Sequence, residues 1–140
     1  MTGTHTRVLI VFLLLSLLAV TLHGCGANAS TPSRAAESYI KALQKNDFKT
    51  AWSLLSEKTR GDIADPSDKK GVDSFKEKIE EALKDASTKS QLMTSKVSKE
   101  TVTGSNATVT VLFSDGQEKS TEQSQDISLV KEKGNWRISF

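Results

Sequence analysis

Histidine is almost missing from this sequence, and cysteine occurs once. His5, His23 and Cys25 all fall within the first 25 of 140 residues. From Gly26 onward there is no imidazole and no thiol. That excludes Ser–His and Cys–His nucleophilic pairs and histidine-ligated zinc from the rest of the chain. Only one tyrosine, Tyr39, is present, so an enzyme would have to work with carboxylates, lysines or that phenol. A dominant charge is lacking as well. Nineteen Lys and Arg stand against 17 Asp and Glu, a formal net charge of +2, with the two signs interspersed. No basic stripe marks a nucleic-acid partner, and nothing in the composition calls for a cofactor.

What is present begins with the N-terminal 30 residues. MTGTHTR carries Arg7 and no acid, and Val8 to Leu22 follows as fifteen mostly apolar residues without a charge. As a helix this run would span roughly 22 Å, against a hydrocarbon core of about 30 Å. It is short for a permanent span and suits the apolar core of a signal peptide. An uncleaved anchor reaching Ala27 would have to take in His23, Gly24 and Gly26, a poorer span. Ala27-Asn28-Ala29 offers an A-x-A site for ordinary cleavage. Leu22-His23-Gly24-Cys25 resembles the bacterial lipobox, although His23 departs from its usual small residue. The lipobox reading is favoured because Cys25 sits three residues past the apolar run and has no second cysteine to pair with.

The resemblance implies that residues 1–24 are a lipoprotein signal peptide and that Cys25 is lipidated, carrying diacylglycerol and an acylated amine. Membrane lipid is then the partner held through Cys25, with each buried methylene adding about 0.8 kcal/mol. Residues 25–31 would be a lipidated tether of at most about 20 Å. Residues 32–140 would form one domain, the length remaining being too short for two cores.

Within that domain, Thr31-Pro32 reads as an N-cap followed by the first helical position. Ala36, Tyr39, Ile40 and Leu43 recur at helical spacing, as do Phe48, Ala51, Trp52 and Leu55. Two helices, about 32–45 and 47–57, are expected around Asn46-Asp47. Residues 59–71, with Pro66, Gly61 and Gly71, read as loop. Ser74-Phe75-Lys76-Glu77 matches a capping box for a third helix near 73–87, with a stripe of Phe75, Ile79, Leu83 and Ala86. Lys76–Glu80 and Glu80–Lys84 would pair on its wet face.

After residue 90 the period changes to two. A ragged strand is expected over about 92–103, then a turn at Gly104-Ser105-Asn106, and then Val109, Val111 and Phe113 alternating with Thr108, Thr110 and Leu112. Asp115-Gly116 is a hairpin signal, but QEKSTEQSQD (117–126) has no apolar residue. A projecting hairpin tip or a broad loop is expected there. Ile127 and Leu129 resume the pattern, and Trp136, Ile138 and Phe140 close it after Gly134-Asn135. The predicted fold is α+β, three N-terminal helices on a curved four-stranded antiparallel sheet. "AAESYIKALQKNDFKTAWSLLSEKTR" and "ISLVKEKGNWRISF" resemble small bacterial lipoproteins of unknown function with a nuclear transport factor 2-like (NTF2-like), or cystatin-like, cone domain.

That resemblance implies a cavity between sheet and helices, with Tyr39 and Trp52 as candidate lining residues; the competing reading makes both simply core. Relatives that catalyse use a histidine in the cavity, which this chain lacks after residue 25. The expectation is therefore no enzyme and no catalytic residue, but an envelope lipoprotein on the cell membrane, outside the cytoplasm. Its small domain would bind a small ligand or an envelope protein. The alternatives are a cavity enzyme using a carboxylate or Tyr39, or an interaction module of envelope machinery. Asp62, Asp65 and Asp68 lack the spacing of a calcium loop, so no metal is expected. Lys69-Lys70 reads as exposed loop, and Asn106, within an N-x-T sequon, as a turn residue.

Overall fold

The computed structural model describes residues 28–64, 70–114 and 122–140. Cys25, the apolar run before it, Asp65, Asp68, Lys69 and the Asp115-Gly116 turn lie outside the described residues.

Helix α1 (Pro32–Gln44) starts as its sequence dictates: the Thr31 side chain accepts from the Arg34 N–H, and Pro32 opens the first turn. It buries Ala35, Ala36, Tyr39, Ile40, Ala42 and Leu43. Asn46, at φ 56°, turns the chain, and Asp47 caps α2 (Phe48–Ser53) through the Thr50 N–H. The expected helix to residue 57 stops at Ser53. The backbone beyond it is needed elsewhere: the Ser56 N–H donates to the Ile138 carbonyl at 2.8 Å, and the Ile138 N–H donates to the Leu54 carbonyl at 2.8 Å. Leu54, Leu55 and Ile138 are fully buried around this parallel bridge.

The loop expected from residue 59 contains a helix instead, α3 (Glu57–Ile63), capped by Ser56. The third expected helix becomes two, α4 (Gly71–Ala82) and α5 (Ala86–Thr94), the second capped by Asp85. The Ser74 capping box does not form, because the helix already begins at Gly71 and the Ser74 N–H bonds the Lys70 carbonyl. Phe75 is buried, but Ile79 and Leu83 are half-covered and Ala86 is exposed. Lys76 does reach Glu80, at 3.7 Å, whereas Lys84 pairs with Glu81.

The strands β1 (Lys96–Thr103), β2 (Asn106–Phe113), β3 (Gln123–Glu132) and β4 (Asn135–Ser139) form one antiparallel sheet in sequence order. A register shift between Val97 and Lys99 bulges β1, which twists and bends that edge. Lys133 and Gly134 both take positive φ between β3 and β4, the backbone of a tight hairpin turn matched to strand twist. Gln123–Asp126, polar as read, extend β3 and pair with Phe113–Thr110. Ala107, Val109, Val111, Leu129, Trp136 and Ile138 face the helices, while Thr101, Thr108, Ser128 and Ser139 lie in one row across the opposite face. The architecture is the expected α+β sheet with helices on one side, built with five helices among the described residues, not three. Among the described residues the core runs from Ala29 to Ile138.

The N-terminal approach is packed too. Ala29 is buried, its carbonyl accepts from the Trp136 N–H at 3.0 Å, and the Asn28 carbonyl accepts from Ser38 Oγ at 3.1 Å. The tether expected to run free to Thr31 is held from Asn28 onward.

Candidate functional site

Between α1, the end of α5 and the inner sheet face lies a half-open cleft of about 230 Å³. Helix α1 contributes Tyr39, Ile40 and Leu43, successive positions on its buried stripe. Val111, Phe113 and Ile127 rise from β2 and β3; Leu92 and Ser95 form one wall, and Gln125 and Phe140 stand at the mouth. The walls are fixed by polar ties outside the cavity. Gln44 Nε2 donates to the Leu92 carbonyl at 2.9 Å. Thr94 Oγ1 donates to the Ser114 carbonyl at 2.8 Å and accepts from the Ser114 N–H at 2.9 Å. These bonds clamp α5 to α1 and to the end of β2.

Tyr39 is 6 % exposed, and its ring meets that of Phe140 at 6.3 Å and 57°. Burial pushes the phenol up to about 12, so it stays protonated at neutral pH and serves as a hydrogen-bond donor. Phe140 is 66 % exposed, although its N–H donates to Thr59 Oγ1 at 3.0 Å. It forms a rim, not the core position expected of it. Trp52 sits elsewhere: its ring packs on that of Phe75 at 5.7 Å with the planes tilted by 50°, and it leans on the Gly71 backbone, where a Cβ would come within 2.8 Å of its ring. Tyr39 is thus at the cleft, and Trp52 seals α2 against α4.

The carboxylates with altered ionisation lie on the surface. Thr50 hydrogen bonds hold Asp47 below the usual range; Lys133 does the same for Glu57, the Thr88 N–H for Asp85, and Ser33 for Glu100. All are caps or ion pairs, and none lines the cleft. Asp62 pairs with Lys58 at 2.7 Å. Among the described residues no group of three or more His, Cys, Asp or Glu could hold a metal, and no helix is long and apolar enough to cross a membrane.

The sequence pattern does not mark Leu92, Ser95, Gln125 and Ile127 as lining residues. The period around Leu92 points to a strand, and Gln125 sits in a segment with no apolar signal. Asp85, three residues before Thr88, is the local signal for the helix that forms the α5 wall.

A bent antiparallel sheet with helices over one face and a cleft at one end is an NTF2-like fold. The fold is similar to that of a protein from Campylobacter jejuni provisionally assigned as an NTF2-like transpeptidase (TM-score 0.54, 16% identity, covering 79% of this chain and 98% of that one). It is also similar to a SEC-C motif containing protein from Rhodopseudomonas palustris (TM-score 0.54, 21% identity, 81% and 78% covered). The chain belongs to DUF4878, a family described as a domain of unknown function, which matches residues 23–139. Among curated proteins none matches the sequence.

Proposed function

We propose that this protein is a lipid-anchored envelope lipoprotein whose NTF2-like domain binds, without catalysis, through the Tyr39 cleft. The observation that carries the reading is the closeness of the lipobox-like Leu22-His23-Gly24-Cys25 to a domain already packed at Asn28. Two residues, Gly26 and Ala27, separate them in the sequence. The family match reaches back to residue 23 and takes in the cysteine. Two or more acyl chains, each buried methylene adding about 0.8 kcal/mol, would hold the domain on a bilayer where one chain binds only marginally.

This attachment also orients the domain. Asn28 and Ala29 lie beside the start of β4, where the Lys131 N–H donates to the Ser105 carbonyl and ties the β3–β4 and β1–β2 hairpins together. That pole meets the membrane. Gln125, six residues back along β3 from Lys131, is about 20 Å away, so the cleft lies at the membrane-distal end. Its lining holds one titratable side chain, Tyr39. A phenol that ionises near 12 is no general base at neutral pH, which weighs against the enzyme alternative.

Growth with globomycin, followed by mass spectrometry of the N-terminus, tests the anchoring. Accumulation of the uncleaved precursor supports it. A soluble product beginning at Ser30, whatever the treatment, rejects it.

A further inference from the structure

We propose that the cleft takes a small uncharged amphiphile, its hydrocarbon part between α1 and the sheet and one hydrogen-bond acceptor at Tyr39 Oη. The proposal rests on reading the cleft as a binding site and names what that site selects.

Three features define the ligand. First, no Asp, Glu, Lys or Arg lines the cleft. An ionised group placed among these side chains would lose its hydration with no side-chain counter-charge to replace it, so the lining side chains favour neutral molecules. Second, Ile40, Leu43, Val111 and Ile127 present hydrocarbon. About 230 Å³ gives room for roughly eight water-sized groups, below the usual size of drug-binding pockets. Third, the Tyr39 hydroxyl makes no hydrogen bond to a described residue. Among the described residues no sealed-in side-chain oxygen or nitrogen lacks a partner, so this Oη is not closed off from solvent, and its ring lines the cleft. A phenol hydroxyl beside apolar lining residues can donate to an alcohol, ether or carbonyl oxygen.

The test uses the full chain and the neutral dye N-phenyl-1-naphthylamine, displaced by n-alkanols from butanol to decanol. Affinity should rise about fourfold per methylene and level off near eight carbons, where the cleft is full. Octanoate at pH 7.4 should bind at least tenfold more weakly than octanol. Tyr39→Phe, which keeps the ring, should weaken octanol about two- to tenfold and leave the slope per methylene unchanged. Ile127→Trp should abolish dye binding, and its melting curve shows whether it folds. Octanoate binding as tightly as octanol, or alkanol affinities indifferent to length and to Tyr39→Phe, would overturn the proposal while leaving the cleft a binding site. Dye that binds wild type and a folded Ile127→Trp equally, or not at all, would remove the cleft as a site and the proposal with it. Neither result bears on Cys25.

Discussion

Replacing Ser56 with alanine removes one oxygen from a place water does not reach. Ser56 is fully buried and Thr59 is nearly so. Ser56 Oγ accepts from the Thr59 N–H at 3.1 Å and donates to Thr59 Oγ1 at 3.0 Å, and that same oxygen accepts from the Phe140 N–H at 3.0 Å. The chain of three residues therefore caps α3 and fastens the last residue of the chain to it. Loss of an N-cap costs about 1 kcal/mol, and a buried amide left without an acceptor costs about 1–3 kcal/mol. The two overlap, so about 2 kcal/mol is expected in all. For a domain of this length that lowers the melting temperature by roughly 8 °C. Thermal melts by circular dichroism and urea midpoints would measure it, with Ser56→Thr, which retains the oxygen, recovering most of the loss. An alanine variant within about 0.5 kcal/mol of wild type, the range of ordinary surface substitutions, would refute the idea that this network locks α3 to β4.

Gly71→Ala should destabilise by about 1–2 kcal/mol in urea titration, because the new methyl meets the Trp52 ring and overpacking outweighs the helix-propensity gain. Asp47 and Asp85, lowered by their capping bonds, contribute stability that is present above the ordinary carboxylate range, about 4, and is lost as pH falls through their folded values. Replacing both with asparagine keeps the caps and should flatten the acid limb of the stability curve; an unchanged limb would assign it to other groups. Tyr39, the single tyrosine, should titrate by ultraviolet absorbance near 12 in the folded protein. Stability should fall as pH rises from about 10 through that value, and a phenol titrating near 10 would mean that Tyr39 is not buried at the cleft.

The parts of the fold legible in the sequence are those where a local pattern agrees with its tertiary surroundings. Thr31-Pro32, the stripe through Tyr39 and Leu43, the alternation of β2 and the Gly134 turn each form as their residues prescribe. The failures occur where distant backbone competes. Nothing in Phe48–Leu55 announces that Leu54 and Ser56 will hydrogen-bond Ile138, more than 80 residues away, and so end α2 early. Ser74 and Glu77 satisfy a capping pattern in a helix that has already started. Phe140 continues the inward alternation of β4, yet β4 has run past the core by then and its ring is left at the cleft mouth. For the site, Tyr39 could be picked out because it is the sole tyrosine on an apolar stripe. The α5 wall could not, because Ala86–Thr94 has almost no apolar asymmetry and is held by Gln44 and Ser114, contacts that no local window contains.

The most direct test of the anchored domain is the intact mass of the protein recovered from the membrane fraction of cells carrying either the native chain or Cys25→Ser. The native chain should begin at Cys25 and carry the added mass of diacylglycerol and one further acyl group, and the serine variant should lose both that mass and its membrane association. Native protein recovered without any lipid mass, or a serine variant that sediments with the membranes to the same extent, would contradict the account.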